Sequence, residues 1–237
     1  MRIETRPETP THSAGTRAPA AEQPIVVIVD DDELVRDSVS ELILSAGFRV
    51  HGFGSTRELL ETDLLDGPGC LILDVRMPGA SGLDLQHQLS RHGNPKPIIF
   101  LTGHGDIPMT VQAMKAGAVD FLTKPVRDQT LLDAVGAAIA MDAERRARQA
   151  VVRQNIARVE TLTRREREVL HEVAHGRLNK QIAFSLGISE VTVKLHRGNV
   201  MRKMETNSIG ELIRAWETLP ESMREPNGTV PAKLPTP

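Results

Sequence analysis

The sequence predicts an α/β doubly wound domain of the (βα)₅ kind, followed by a helical linker and an all-α domain of four short helices. Three observations predict this architecture. In the first half, short apolar runs alternate five times with helical stretches. In the second half, the apolar spacing is helical throughout, with a tight Leu-Gly-Ile turn between two of the helices. Between the halves lies a stretch rich in alanine, arginine and glutamine.

The strands and helices of the first half follow one another in strict alternation. We expect strands at 25–29, 48–53, 70–73, 98–101 and 121–123. We expect helices at 34–46, 56–65, from 81, at 108–116 and from 128. Gly47 and Gly117 stand where the first and fourth helices should stop. Such alternation predicts a parallel sheet that is covered on both faces, with ligands bound at the carboxyl ends of its strands.

Four capped helices account for the second half. Thr163 and Glu166 form a capping box for the first helix, and Ser208 and Glu211 form one for the fourth. The second helix is expected at 179–186, and the third at 190–204 after Ser189. The linker before them offers only a narrow apolar stripe, which indicates an exposed helix that either stands alone or pairs with itself in a dimer.

Composition divides the chain into five expected segments. The N-terminus is rich in threonine, proline, alanine and charge, which is typical of disorder. The segments are a disordered extension (1–23), the α/β domain (24–143), a helical linker (144–160), the four-helix domain (161–219) and a disordered tail (220–237).

Charge separates the two halves more sharply than the formal net charge of −2 suggests. Residues 24–144 carry nine lysines and arginines against eighteen acidic residues, whereas residues 145–219 carry fifteen against eight. The asymmetry predicts a cation as the partner of the first half and a polyanion as the partner of the second. Chance surface charge is the alternative explanation.

The apolar runs and the cysteine content of the chain allow a prediction of its cellular location. Its apolar runs are far shorter than the ~20 residues that span a bilayer, and its N-terminus does not read as a secretory signal. The single cysteine, Cys70, cannot form an internal disulfide, which fits a reducing compartment. We therefore expect a cytoplasmic protein that does not enter a membrane.

Polar residues follow four of the predicted strands and carry the chemistry of the first domain. The first strand ends in Asp30-Asp31-Asp32, the third in Asp74, the fourth in Thr102 and the fifth in Lys124. Because parallel strands end at one edge of a sheet, we expect these side chains to converge. Carboxylates, a hydroxyl and an ammonium together indicate a metal-assisted acceptor of a phosphoryl group.

The donor set predicts Mg²⁺ as the cofactor. Asp30 and Asp31 beside Asp74 would repel one another, and a divalent cation with oxygen ligands removes that cost. Since Mg²⁺ keeps several waters, two carboxylates and the main-chain carbonyl of Arg76 would suffice. Asp74 would then attack the phosphoryl group, while Lys124 would neutralise its charge and Thr102 would hydrogen-bond one of its oxygens.

Each of these residues also has an ordinary structural use. The aspartate cluster serves equally well to cap the following helix, and Asp32 is the ambiguous third member. Thr102 suits a strand, and Lys124 suits a solvated surface. The Lys124-Pro125 bond is a candidate for a cis peptide. The occurrence of these residue types together, at the ends of four strands, favours the interpretation as a phosphoryl-acceptor site.

The third helix of the second domain is the candidate for reading DNA. Its spacing turns Val191, Val193 and Val200 toward the core and leaves polar residues outward. These are Thr192, Lys194, His196, Arg197 and Asn199. Arginine and lysine suit phosphates and guanine, and asparagine suits adenine. The alternative is a small structural bundle with a solvated basic face.

The first domain resembles the receiver domain of bacterial two-component response regulators. The resemblance rests on residues 29–33, on 73–79, on 101–106 and on Lys124-Pro125. It implies a flavodoxin-like fold in which Asp74 is the phosphoacceptor. It also implies that Asp30 and Asp31 are the acidic pair, with Asp31 as the direct metal ligand. Phe121 matches the aromatic residue that turns inward when the receiver is switched.

The second domain resembles the LuxR-type DNA-binding domain, and the whole chain resembles the NarL/FixJ family. The motifs are residues 162–166, 179–183 and 192–197. The resemblance implies DNA contacts from Lys180, with Lys194, Leu195 and Gly198 facing the major groove. Some relatives have a longer side chain at position 198.

These observations predict a phosphorylation-dependent transcriptional regulator that is not an enzyme. The expected partners are a cognate histidine kinase, double-stranded promoter DNA and RNA polymerase, and phosphorylation is expected to form a homodimer. One rival is a DNA-binding protein with a constitutively dimeric receiver. Another is a receiver that drives a catalytic output, but no nucleophile–base pair, metal-ligand spacing or P-loop follows Arg145.

Overall fold

A computed structural model describes residues 23–103 and 105–225. The strands are β1 (Ile25–Val29), β2 (Arg49–Phe53), β3 (Gly69–Leu73), β4 (Ile98–Thr102) and β5 (Asp120–Thr123). The helices are α1 (Glu33–Ser45), α2 (Thr56–Leu60), α3 (Gly82–Arg91), α4 (Ile107–Lys115), α5 (Asp128–Glu160), α6 (Arg164–Ala174), α7 (Asn179–Leu186), α8 (Glu190–Lys203), α9 (Ile209–Glu217) and α10 (Glu221–Arg224). Residues 1–22 of the predicted disordered extension (1–23) and residues 226–237 of the predicted tail (220–237) lie outside the described residues.

The sheet confirms the predicted doubly wound α/β fold. Its five strands run parallel in the order β2-β1-β3-β4-β5. Val29 pairs with Leu73, and Leu73 pairs with Phe100, so β1 and β3 end in register and β4 continues two residues further, to Thr102. The residues that follow these strands therefore emerge at one edge of the sheet.

Helices cover both faces of the sheet because each central strand is apolar on both sides. On one face Ile28, Ile72 and Ile99 pack against α1 and α5. On the other face Leu73 and Phe100 pack against α2, α3 and α4. A buried run of this kind is typical of parallel strands enclosed between two layers of helices.

Cys70 lies inside the sheet and is fully buried. Burial raises the pKa of its thiol to about 12, because the thiolate would lose its hydration there. We therefore expect no reaction of the folded protein with iodoacetamide at pH 8 and complete reaction in guanidinium chloride. Mass spectrometry after a fixed incubation would check this, and rapid modification of the folded protein would contradict it.

The helix predicted at 56–65 is shorter than expected. Helix α2 ends at Leu60, and a separate 3-10 helix follows at Asp63–Leu65. Thr62 interrupts the continuous helix, since its hydroxyl donates to the Leu59 carbonyl and accepts from the Leu64 amide. Local side-chain bonds of this kind compete with the helical ladder.

Helix α5 joins the sheet domain to the helical domain without a break. Its first turns bury Leu131 and Val135 against the sheet, and its last turns bury Val159 in the helical core. Residues 147–151 between them are exposed. Alanine, arginine and glutamine sustain such a helix because all three have high helix propensity.

The helical domain contains the four predicted helices and one more. The predicted tail begins at Pro220, but α10 occupies Glu221–Arg224, and Met223 is buried in the domain core. The tail prediction is therefore wrong over these residues, because an apolar side chain within reach of the core was overlooked. No helix in the described ranges combines the length and apolarity that crossing a bilayer requires.

Candidate functional site

Three aspartates come together at the carboxyl edge of the sheet. One carboxylate oxygen each from Asp30, Asp31 and Asp74 lies within 4.8 Å of the others. Asp30 and Asp74 are buried, whereas Asp31 is exposed. The amide of Asp74 donates to the Val29 carbonyl at 2.8 Å, so the β1–β3 pairing sets the position of the cluster.

Asp32 has a different role from its two neighbours. Its side chain accepts hydrogen bonds from the amides of Leu34 and Val35 and so caps α1. The capping interpretation of the aspartate run therefore applies to Asp32, and Asp30 and Asp31 remain for the cluster.

Lys124 reaches the aspartates from the end of β5. Its ammonium lies 2.5 Å from Asp30 Oδ2 and 4.0 Å from Asp74 Oδ1. The Lys124-Pro125 peptide is cis. The two distances place the ammonium where it can stabilise negative charge that develops next to Asp74.

Burial raises the pKa of Asp74 above its ordinary value. Lys124 and a hydrogen bond from Thr102 act in the opposite direction but do not outweigh burial. Thr102 itself is buried at the end of β4. An anionic Asp74 therefore costs free energy here, and a bound cation would offset that cost.

The donor set fits Mg²⁺, because all three candidate ligands are carboxylates and hard divalent cations prefer oxygen. Asp31 is exposed and can exchange water for metal, while Asp30 is held by Lys124. The side chain of Arg76 is exposed, and the metal contact of its carbonyl stays a prediction.

Phe121 lies on β5, which ends next to Lys124, and is half-buried. Its ring centroid is 5.9 Å from that of Phe100. A Cβ at Gly105 would approach Phe121 Cε1 to 2.8 Å, so only glycine leaves space for the ring in this position. Sequence reasoning did not assign a role to Gly105.

Two further residues that shape the site were missed. Arg36 on α1 donates to the Asp30 carbonyl at 2.8 Å and holds the β1–α1 turn. A Cβ at Gly82 would lie 2.2 Å from the Asp74 carbonyl oxygen, so glycine is required where α3 begins. The capping box at Ser81 marks that helix start in the sequence, but the close approach itself is a tertiary contact.

The exposed face of α8 differs from the predicted one. Val193 and Val200 are buried as predicted, but Val191 is 76% exposed, so its assignment to the core was wrong. The helix begins at Glu190, and its buried residues are Val193 and Val200. Lys194, Leu195 and Gly198 are exposed on the same side of the helix.

Three of the other predicted DNA contacts, Thr192, Arg197 and Asn199, are partly covered. Thr192 and Asn199 are half-buried, and Thr192 shares a hydrogen bond with Ser189. Arg197 donates to Asn179 Oδ1 at 2.5 Å, which ties α8 to α7. Lys180 is exposed on α7. The predicted DNA contacts therefore fall into two sets: residues that are exposed, and residues that are partly buried or bonded within the domain.

Comparisons with known proteins assign both halves of the chain. Residues 26–136 match the family described as response regulator receiver domain. Residues 160–216 match bacterial regulatory proteins of the luxR family.

Known relatives match this chain over most of its length. Nodulation protein W of Bradyrhizobium diazoefficiens is 52% identical over 205 residues, which cover 86% of this chain and 90% of the relative. The transcriptional regulatory protein FixJ of Azorhizobium caulinodans is 43% identical over 190 residues, with coverage of 80% and 90%. The solved structure of the response regulator StyR matches with a TM-score of 0.75 and 47% identity, covering 83% of this chain and 99% of StyR.

A receiver fold with an acidic cluster, joined to a LuxR-type helical domain, defines a DNA-binding response regulator and not an enzyme. The chain belongs to the NarL/FixJ family of two-component response regulators. Its function in that class is transcriptional regulation, with a histidine kinase and DNA as partners.

Proposed function

We propose that Asp74 accepts a phosphoryl group from a histidine kinase and that this modification controls DNA binding. The observation that carries the proposal is the convergence of Asp30, Asp31, Asp74 and Lys124 within one edge of the sheet. The cluster combines a buried nucleophile with the charges that phosphoryl transfer requires.

The phosphoryl transfer is a nucleophilic displacement at phosphorus. A carboxylate oxygen of Asp74 forms a bond to phosphorus as the phosphorus–nitrogen bond of a phosphohistidine breaks. The electron pair of that bond returns to the imidazole nitrogen, which then takes a proton. Lys124 neutralises charge on the phosphoryl oxygens, and the Thr102 hydroxyl hydrogen-bonds one of them.

We propose that Asp31, Asp30, Asp74 and the Arg76 carbonyl hold Mg²⁺. When bound, the cation supplies charge neutralisation for the acidic cluster and for the phosphoryl oxygens. The carboxylates present fit this demand because they are oxygen donors within mutual reach. Asp30 also orients Lys124 through their short ion pair.

Phe121 and α4 are the proposed output of the receiver. Movement of Thr102 toward the phosphoryl group would free space behind it, into which the half-buried Phe121 ring turns. Helix α4 presents Ile107 and Val111 to solvent, and Lys115 at its end adds charge. We propose that this face, together with Phe121, pairs with a second copy of the chain.

DNA recognition is assigned to α7 and α8. We propose contacts from Lys180, Thr192, Lys194, Leu195, Arg197, Gly198 and Asn199. Two such helices related by a dimer axis would read an inverted repeat. Contact with RNA polymerase and action in the cytoplasm, where promoter DNA is found, belong to the same proposal.

The predicted division of the chain is kept as part of the proposal: receiver 24–143, linker 144–160 and DNA-binding domain 161–219. The two family matches, at 26–136 and 160–216, support this division without setting its boundaries. Helix α5 crosses the first boundary, so the receiver and the linker share one helix.

Dimerisation provides the direct test of the proposed switch. Addition of Mg²⁺ with beryllofluoride, a phosphoryl mimic, is expected to double the solution mass of the wild type from 26.0 kDa. The Asp74→Asn variant is expected to keep its mass under the same conditions. Light scattering coupled to gel filtration gives the mass, and a DNA-shift assay on the same samples gives the binding.

Equal masses in all samples would contradict dimerisation on phosphorylation. A dimer already present before activation would instead favour the constitutively dimeric receiver.

A further inference from the structure

Helix α8 presents an aliphatic stripe to solvent. Val191 is 76% exposed and Leu195 is 63% exposed, and they lie four residues apart on one side of the helix. Residues at this spacing are neighbours on a helix surface. Lys194 and Gly198 are exposed next to them. The stripe occupies the N-terminal half of the helix.

The stripe contributes little to packing of the domain. Val193 and Val200 are buried and supply the contacts of α8 with the domain core. An exposed valine also has lower helix propensity than alanine or lysine. Packing within the domain therefore leaves the Val191 side chain available to an external partner.

Charge on the surrounding surface indicates the kind of partner. Lys194 lies next to the stripe, Lys180 is exposed on the neighbouring helix, and Arg197 on α8 donates to Asn179 on α7. Residues 145–219 carry fifteen lysines and arginines against eight acidic residues. A polyanion that also offers apolar groups fits this surface. DNA is such a partner, because the C5-methyl groups of thymine line its major groove.

We propose that Val191 and Leu195 recognise thymine methyl groups and so determine part of the operator sequence. The inference rests on the proposed DNA-binding function and adds Val191 as a specificity-determining residue. Lys194 would bind guanine or phosphate beside the methyl contacts.

Gly198 limits where base recognition occurs. It follows Leu195 by three residues on the same side of α8, and the space around it is open. With no side chain at this position, Gly198 can contact DNA only through its backbone, which can lie closer to the groove. Base recognition is thereby concentrated toward Val191, at the N-terminal end of α8.

Deoxyuridine substitution tests the proposal, because uracil pairs as thymine does but lacks the C5-methyl group. Sites for the beryllofluoride-activated wild type would first be selected from random double-stranded DNA. Each thymine would then be replaced singly. We expect one or two positions in each half-site at which the replacement lowers affinity about four-fold, the effect of one buried methyl group.

Variants assign the lost methyl contacts to residues. Val191→Ala and Leu195→Ala are each expected to weaken binding to the thymine site about four-fold or more. Each variant should bind its deoxyuridine site and its thymine site equally, because the partner of the methyl group is gone. Val151→Ala, which removes an exposed aliphatic side chain from the linker, is the matched control and should keep the full thymine preference.

The outcomes separate the two levels of the proposal. If the activated wild type selects no DNA, the proposed function fails. If it binds DNA but no deoxyuridine replacement changes affinity, only the thymine inference fails. The inference also fails if Val191→Ala and Leu195→Ala both keep the wild-type preference for thymine. Circular dichroism of each variant confirms the fold, which should persist because both side chains are exposed.

Discussion

Replacing Asp74 with asparagine is expected to abolish phosphate incorporation into this protein. The amide keeps the size of the side chain but lacks the anionic oxygen that attacks phosphorus. We expect at least a 100-fold loss, or roughly 2.7 kcal/mol in the barrier. Incubation with radiolabelled acetyl phosphate and Mg²⁺, followed by counting of the protein band, measures the incorporation.

Asp32→Asn is the matched control for this variant. It changes a carboxylate of the same aspartate run, but one that caps α1 and lies outside the cluster. Asparagine is as good a cap as aspartate, so both stability and incorporation should stay close to the wild type. Incorporation by Asp74→Asn at the wild-type rate would place the phosphoacceptor elsewhere.

Removal of the Asp142 carboxylate is expected to destabilise the α/β domain by about 3 kcal/mol. Asp142 lies on α5 and is only 1% exposed. It accepts from the Gly69 amide at 2.9 Å and forms ion pairs with Arg145 and Arg146. Asp142→Ala would leave the Gly69 amide and both guanidinium groups without this partner.

The hydrogen bonds and ion pairs around Asp142 connect helix α5 to the amino end of the sheet. Arg146 donates to the carbonyls of Asp66 and Gly67 in the loop before β3. Lys96 donates to the carbonyls of Gly67 and Leu64. The same loop is therefore held both by the α/β domain and by the helix that leads to the DNA-binding domain.

Native-state hydrogen exchange is the suitable measurement for Asp142→Ala, because amides of β3 report on opening of this domain alone. The Gly69 amide should lose protection directly. Glu144→Gln is the control, since Glu144 and Arg148 form an exposed pair whose loss should cost under about 1 kcal/mol. Equal exchange of β3 in all three proteins would contradict a stabilising role for Asp142.

The effect of Asp142 should depend on pH in a defined direction. Burial acts to raise its pKa, but hydrogen bonds from Arg145, Gly69 and Arg146 outweigh burial and hold the pKa below the usual value. Stability from such a group is present above the unfolded pKa of about 3.9 and is lost as pH falls through the folded pKa. The difference in the free energy of unfolding between Asp142→Ala and the wild type should therefore be constant from about pH 5 to 8 and should become smaller in stronger acid.

Much of the fold and of the candidate site could be predicted from local sequence pattern. The alternation of apolar runs and helical spacing predicted all five strands and the parallel sheet. Because parallel strands end at one edge, the residues at the carboxyl ends of β1, β3, β4 and β5 had to converge, and Asp30, Asp74, Thr102 and Lys124 do so. These features follow from periodicity and from chain direction, which are local properties.

Contacts between distant residues decided the rest. Three adjacent aspartates look alike in sequence, and only the direction of the chain after β1 assigns Asp32 to the α1 cap and Asp31 to the cluster. Val191 and Val193 are two positions apart, and the packing of α8 on α6 and α7 determines which one is buried. Asp142 reads as one charge on a charged helix, yet it meets Gly69, 73 residues earlier in the chain. The sequence pattern determined the secondary-structure elements and the edge of the sheet at which the site forms. Tertiary packing determined which side chains are buried, paired or free to bind. Those properties depend on neighbours that are remote along the chain, so local pattern does not contain them.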